Sequence, residues 1–509
     1  MATRRGRRTT GFFARLDSRA PLPNMRAPRY PAPPPKSSMN IVEPILFQCK
    51  LNPLATAICV PGSTIGSVNY GRLEKLIHNV TRNALESGIV PGNIAAILVT
   101  DTILHAALIL GLMHIGVTTL SLRGSRDAGG AAPDIILTDV PGRFSGQGTV
   151  LSVDQSWMEG DGKPPARPQV PTNEEDICRI VLTSGSTGVP KGIAFSHKLL
   201  SERLSNYAYS KSARFAHCSR LFCDLGIATG PGFRYAMVIL SRGGTIFFLG
   251  PEPADILQTI DLYKIQGMAT SPYGLGEFLK FFEADSAFEV GFDHIICQGA
   301  MLSGELSRRA RARMCQNLYS TYGATETTTV ALGPASLIDA VPGAVGYVLP
   351  GVTVEALDKS GNALPPGQTG ALRIRSHHMV SGYVGDPETT RAFFRDGYFY
   401  SGDVGYTTPE GLLVITGREK TALNIGGDTV SPESVEAVIT SFENVEQAGV
   451  FALNNELGIA ELTALIVTRS QINESRLRDH CVRRLPPSCV PVRFISVDAL
   501  PRAGQGKID

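Results

Sequence analysis

From Asn40 onward, short apolar runs alternate with stretches of helical periodicity. Ile94-Ala-Ala-Ile-Leu-Val-Thr100 reads as a buried strand, and Leu104–Gly116 as the helix that follows it. Ile135–Thr138 and Thr149–Val153 read as two more short strands. This alternation predicts an α/β fold with a largely parallel sheet. The stretch 160–172 is rich in Gly and Pro and reads as a surface loop. Between Gly343 and Glu419 the pattern changes to short β-like runs with turns between them: Val352–Ala356, the turn Pro365-Pro-Gly367, and Ala371–Arg375. That predicts a small β-rich subdomain. After Glu419 helix and strand patterns return, over Pro432–Ser441, Val445–Ala452, Glu461–Val467 and Glu474–Leu485. The expected organisation is a large N-terminal domain over 39–419, made of parallel-type sheets, helices and the β-rich subdomain. A small α+β lid over 420–509 follows it.

The first 38 residues stand apart. Arg4, Arg5, Arg7, Arg8, Arg15, Arg19, Arg26 and Arg29 face the single acid Asp17, and the segment ends in the Pro-rich run Pro31–Pro35. Such a stretch has too little apolar surface to order itself. It is expected to be a disordered tail, or an extension upstream of a start at Met39, rather than a basic anchor or a transit peptide, because no amphipathic helix is visible in it.

At 509 residues, 43% of them hydrophobic, the chain has ample material for more than one core. Lys plus Arg total 48 against 46 Asp plus Glu, a balance that gives no support to nucleic-acid binding. The most apolar stretch, Ile94–Val117, is interrupted by Asp101, His105 and His114, so no membrane span is expected. Nine scattered cysteines form no CxxC pair and the histidines no HxxxH pattern. Free thiols in a reducing cytoplasm are therefore expected, rather than disulfides or zinc.

The richest local chemistry lies in Leu182-Thr-Ser-Gly-Ser-Thr-Gly-Val-Pro-Lys-Gly192, between a strand-like Ile180–Leu182 and a helical pattern from Lys198. Gly185, Gly188 and Gly192 let backbone N–H groups converge. Thr183, Ser184, Ser186 and Thr187 add hydroxyl donors, and Lys191 adds a cation. A phosphate needs this combination. The loop lacks the Gly-Lys-Ser/Thr ending of a Walker A loop.

This run resembles the signature phosphate loop of the adenylate-forming superfamily, which includes acyl- and aryl-CoA synthetases, peptide-synthetase adenylation domains and firefly luciferase. Further motifs follow in the family order. Tyr319-Ser-Thr-Tyr-Gly-Ala-Thr-Glu-Thr327 resembles the aromatic-Gly-x-Thr-Glu motif. The resemblance implies that Tyr322 stacks on adenine beside Gly323, that Thr325 bonds the α-phosphate and that Glu326 helps hold Mg²⁺. Gln298-Gly-Ala-Met-Leu-Ser303 resembles a strand end lining the adenine and acyl pockets, with Gly299 and Ala300 letting ligand approach the backbone. Asp403, in Ser401-Gly-Asp-Val-Gly405, resembles the aspartate that bridges the ribose hydroxyls, and Arg418, in Gly417-Arg-Glu-Lys420, a ribose or phosphate contact. Lys420 falls at the family's hinge, and Gly426 and Gly427 at its pantetheine tunnel. Lys507, in Leu500-Pro-Arg-Ala-Gly-Gln-Gly-Lys-Ile-Asp509, matches the adenylation lysine. The resemblance thus assigns catalysis to Lys507, Thr183 and Glu326.

The implied reaction activates a small carboxylic acid with ATP and Mg²⁺, releases pyrophosphate, and passes the acyl group to coenzyme A. The resemblance covers about Ile180 to the C-terminus; Asn40–Ile180 matches only loosely. Asp224 lies near the start of the acyl pocket, where amino-acid adenylation domains place an aspartate for the substrate amine. A free-standing enzyme that loads an amino or aryl acid onto a carrier protein is the alternative.

Overall fold

The computed structural model describes residues 40–508 apart from 123–127, 145–147, 166–172, 184–189, 211–217, 251–255, 285–290, 420–422, 426–427, 455–459, 486–488 and 504–506. The tail over 1–38 and the residues Ser184, Gly185, Ser186, Thr187, Gly188, Lys420, Gly426 and Gly427 lie outside the described residues, as does the side chain of Lys507.

The chain runs through helix α1 (Glu43–Leu51), strands β1 (Thr56–Cys59) and β2 (Ser67–Asn69), and helix α2 (Tyr70–Glu86). Then come β3 (Ile94–Leu98), α3 (Thr102–His114), β4 (Thr118–Ser121), β5 (Ile135–Thr138), β6 (Thr149–Ser152), β7 (Ile177–Thr183), β8 (Lys191–Ser196) and α4 (His197–Ser210). Strands β3 to β8 form one sheet, ordered β6-β5-β3-β4-β7-β8 and parallel except for the β7/β8 hairpin. The crossover between β3 and β4 is α3. Asp101 caps it, accepting from the N–H groups of Ile103 and Leu104 at 2.8 Å each. Its residues 103–114 are all buried, which is why its sequence is apolar on every side.

A second sheet follows from β9 (Arg220–Cys223), α5 (Gly230–Ser241), β10 (Thr245–Phe248), α6 (Ile256–Leu262), β11 (Gly267–Thr270), α7 (Pro272–Ala284), β12 (His294–Gln298), α8 (Gly304–Arg313), β13 (Leu318–Ala324) and β14 (Thr328–Pro334). It continues through α9 (Leu337–Ala340), β15 (Ala344–Val348), β16 (Val352–Leu357), β17 (Gly370–Ser376), α10 (Pro387–Phe393), β18 (Phe394–Arg395), β19 (Tyr398–Thr407) and β20 (Leu412–Arg418). The order is β16-β17-β19-β20-β15-β14-β13-β12-β11-β9-β10-β1-β2, with β18 beside β19. From β1 to β13 the pairing is parallel; beyond β13 it is antiparallel. The β-rich region expected over 343–419 is thus present, but its strands extend the parallel sheet instead of closing on themselves. One hydrophobic core joins the two sheets, drawing Ile58 and Ile246 from the second and Ala95 and Ile97 from the first, with α2, α3 and α5 between them.

The C-terminal domain has its own core around Val435, Ile439, Ala464 and Leu477. Helices α11 (Pro432–Thr440) and α12 (Glu474–Val482) pack with a sheet of Val445–Asn454, Ala460–Thr468 and Arg493–Ser496. The start of α11 docks on the end of β20, where the hydroxyls of Ser431 and Ser434 both donate to the carbonyl of Thr416. No helix among the described residues is long and apolar enough to cross a membrane. All nine cysteines are free thiols.

Three backbone segments cross behind the β7/β8 hairpin. Gly192 donates to the carbonyl of Gly129 and accepts from the N–H of Val384, both at 2.8 Å. Gly130 (φ +79°) and Gly385 (φ +65°) flank the crossing, and a Cβ on Gly130 would lie 2.2 Å from the Val384 carbonyl oxygen. Gly130→Ala should therefore cost more than the left-handed backbone penalty of about 1–2 kcal/mol. Gly367 (φ +86°) has open space around it, so Gly367→Ala should cost only that penalty. Urea denaturation of both variants checks the order; equal losses would show that the crossing is not tight.

Candidate functional site

The site is built on the carboxyl ends of parallel strands, where open α/β sheets leave a crevice. β13 ends at Ala324, and a turn carries Thr325, Glu326 and Thr327 into β14. Glu326 is only 7% exposed. Its carboxylate Oε1 accepts from the hydroxyl of Tyr383 at 2.8 Å, and its carbonyl accepts from the N–H of Val380 at 3.0 Å. The guanidinium of Arg203, on α4, donates to the carbonyls of Thr325 and Glu326 at 2.8 and 2.9 Å.

Thr183 and Lys191 face each other at the mouth of the β7/β8 hairpin, with the Thr183 hydroxyl 3.4 Å from the Lys191 carbonyl. The Lys191 ammonium lies 4.9 Å from the centroid of the Tyr383 ring and 4.1 Å from that of Phe393. Such faces attract a cation. Tyr383 thereby links the lysine of the predicted phosphate loop to the carboxylate of Glu326. The first residue of α5, Gly230, packs against Val181 of β7, so closely that an added Cβ would lie 2.8 Å from Val181 Cγ1 and 3.9 Å from the Thr325 hydroxyl.

At the other end of the turn, the Tyr322 hydroxyl donates to Oδ2 of Asp403. Oδ1 of the same carboxylate accepts from Nε of Arg418 at 2.9 Å, across a β19/β20 pair in which the two residues are directly opposite. Burial, and then the Asp403 charge, push the Tyr322 hydroxyl well above its ordinary pKa, so it remains a donor. Tyr322, Asp403 and Arg418, far apart in sequence, form one contact in which Asp403 is buried and Arg418 exposed. Gly299 (φ +94°) and Ala300 are exposed just past the end of β12, and Gly323 pairs with Thr329.

Asp224 ends up one step past β9. Its Oδ2 accepts from the Thr270 hydroxyl at 2.7 Å, while Oδ1 has no hydrogen-bond partner among the described residues. Burial pushes this carboxyl up to about 7, against the opposing pull of the Thr270 hydrogen bond. Gln298, at the end of β12, accepts from Arg234 at 3.3 Å, and its own amide nitrogen has no partner among the described residues.

The backbone of Lys507 pairs with Ala503 in a two-residue hairpin. The structure thus unites Thr183, Lys191, Thr325 and Glu326 in one cluster and Tyr322, Asp403 and Arg418 in another, joined by the five residues 322–326. Sequence reasoning missed Tyr383 and Arg203, and named Gln298 only as the start of a motif. Tyr383 had a local signal, an aromatic in the turn-rich Ser381-Gly-Tyr-Val-Gly385. Arg203 had none.

Among the described residues no three acidic, histidine or cysteine side chains gather to hold a metal. Glu326 offers one carboxylate. That donor set fits a magnesium ion that keeps phosphate oxygens as its other ligands, and not a resident metal held by protein alone.

A family model described as AMP-binding enzyme matches residues 135–384, and one described as AMP-binding enzyme C-terminal domain matches 434–507. Together they span more than half of the chain. The 2-succinylbenzoate–CoA ligase of Geobacillus kaustophilus is 26% identical over 84% of this chain and 88% of its own length. Gramicidin S synthase 2 of Brevibacillus brevis is 28% identical over 66% of this chain, and the match spans only 8% of that much longer protein. The amide bond synthetase McbA from Marinactinospora thermotolerans superposes with a TM-score of 0.77 at 25% identity, over 93% of this chain and 98% of its own. Its matched domains, its relatives and its architecture agree: the chain belongs to the adenylate-forming superfamily of AMP-binding enzymes.

Proposed function

We propose that the protein activates a small carboxylic acid with ATP, releasing pyrophosphate, and then transfers the acyl group from the adenylate to coenzyme A. The observation that carries the reading is the 322–326 turn. Its aromatic end meets Asp403, which also holds Arg418, as suits a nucleoside site, and its acidic end meets Tyr383, whose ring also holds Lys191, as suits a polyphosphate site.

The chemical obstacle is an anion approaching a polyanion. Lys191, Thr183 and the donors of 184–188 would hold the phosphates, with Lys507 as the mobile cation of the first half-reaction. Thr325 would bond the α-phosphate, and Glu326 would hold the magnesium ion. When bound, that ion supplies charge neutralisation on the phosphate oxygens. Tyr322, beside Gly323, would stack on adenine, and Asp403 would turn its carboxylate to the ribose hydroxyls, with Arg418 beside it. Gly299 and Ala300 would leave room for the nucleotide and acyl group. The C-terminal domain would act as a lid over 420–509. Rotation about Lys420 would withdraw Lys507 and bring Gly426 and Gly427 to the thiol channel. The free thiols are what a reducing, cytoplasmic setting permits.

One observation favours a second reading. The Oδ1 of the half-buried Asp224, without a hydrogen-bond partner among the described residues, is an acceptor suited to a substrate amine, as in an enzyme that loads an amino or aryl acid onto a carrier protein. Thioester formation with coenzyme A separates the two readings.

Incubated with ATP, Mg²⁺ and a panel of acids, the protein should release pyrophosphate, and with coenzyme A present the product should be a thioester. Lys507→Ala should lose pyrophosphate release but still convert a synthetic acyl-adenylate to thioester; full retention of the first half-reaction would refute its role.

The Asp224 carboxyl also predicts a pH effect. Its folded pKa, about 7, lies above the ordinary 3.8, so between those values the folded state keeps a proton that the unfolded state gives up. Stability contributed by this group therefore falls as pH rises through that window. Asp224→Asn should match the wild type in thermal midpoint near pH 4 and exceed it at pH 8. An equal midpoint at pH 8 would mean that the carboxylate ionises without penalty.

A further inference from the structure

Arg203 is buried, 6% exposed, on the helix that follows the β7/β8 hairpin. Its hydrogen bonds are all to main-chain oxygens among the described residues. Nη1 reaches the carbonyl of Thr325 at 2.8 Å and Nη2 that of Glu326 at 2.9 Å. Nε and Nη2 reach the carbonyl of His378 at 2.8 and 2.5 Å. The guanidinium carbon lies 4.8 Å from the centroid of the Phe195 ring. No described carboxylate forms an ion pair with it.

A buried cation is costly, and a pure packing role would be met better by an apolar side chain. The rigid fork of arginine does something no apolar residue can: it holds three carbonyls in fixed directions at once. Two of these belong to consecutive residues, Thr325 and Glu326. The third, His378, begins the segment that returns Val380 to the Glu326 carbonyl and Tyr383 to the Glu326 carboxylate. Arg203 therefore fixes Glu326 from the main-chain side, and Tyr383 fixes it from the side-chain side.

We propose that Arg203 is a positioning residue for adenylation, locking the Thr325–Glu326 peptide so that the carboxylate meets the ion arriving with ATP in a single geometry. The inference rests on the reading of Glu326 as the magnesium carboxylate.

The test uses the full chain with Arg203→Met, Arg203→Lys and Tyr383→Phe. Manganese binding in the presence of a non-hydrolysable ATP analogue is followed by water proton relaxation. Pyrophosphate release is measured against Mg²⁺ concentration, and thioester formation from a synthetic acyl-adenylate is measured separately. Arg203→Met should weaken manganese binding about tenfold, the scale of losses when a ligand's support is removed. It should slow pyrophosphate release about 100-fold, as a displacement of roughly 1 Å does. The thioester step should change little. Arg203→Lys should recover part of the loss, and Tyr383→Phe should move the Mg²⁺ dependence in the same direction. If Arg203→Met fails to fold, the lysine and phenylalanine variants carry the test. Unaltered Mg²⁺ dependence in these two, or an equal fall in both half-reactions, would overturn the proposal. Wild-type protein that binds the manganese–analogue complex yet releases no pyrophosphate with any acid would sink the acid-activation reading and leave the positioning role to be judged by manganese binding alone. Wild-type protein that does neither would sink both.

Discussion

A carboxylate oriented by a neutral phenol, on a turn whose carbonyls a buried guanidinium holds, is the feature around which this molecule is arranged. Glu326 has a phenol on its side chain and a main-chain N–H on its carbonyl, and none of the described basic side chains forms an ion pair with it. A nearby ammonium would have neutralised it and left nothing for an incoming cation. The phenol instead orients the group through a single neutral hydrogen bond. The Arg203 guanidinium is spent on main-chain carbonyls, and Lys191 sits on the faces of Tyr383 and Phe393.

The sheet explains why that turn lies where it does. Parallel strands bring β9, β11, β12 and β13 to one edge, and β13 is also the last parallel strand before the antiparallel extension. The turn after β13 therefore belongs to both halves of the sheet. One side looks to the smaller sheet and its hairpin, the other to β19 and β20 with Asp403 and Arg418. The Gly129–Gly192–Val384 crossing ties the segment bearing Tyr383 to the start of β8. The backbone crossing, the Val380 N–H and the Tyr383 hydroxyl together connect the hairpin to Glu326.

Much of this was legible in the sequence because the signals are local. Glycine and hydroxyl residues crowd the 183–192 run, and α3 announces itself by thirteen largely apolar residues after a capping Asp101. The strands over 352–357 and 370–376 showed their alternation and their turn at Gly367. Their partners did not show, since pairing is a tertiary choice that strand patterning does not encode. The same holds for β1, whose parallel neighbour β10 comes from far along the chain. Arg203 is the sharpest case. It sits in an ordinary helical pattern, and its meaning lies entirely in carbonyls more than a hundred residues away. Tyr322, Asp403 and Arg418 were named one by one from their motifs, yet their mutual contact across the β19/β20 pair was visible only in the fold.

The central claim is that the segment 322–326 is where a nucleotide triphosphate sits. Photolabelling with 8-azido-ATP and Mg²⁺, followed by tryptic mapping, addresses it without any knowledge of the acid. The label should appear on the peptide Met314–Lys359, which contains Tyr322, and excess AMP should suppress it. Label confined to other peptides, or unaffected by AMP, would contradict the account.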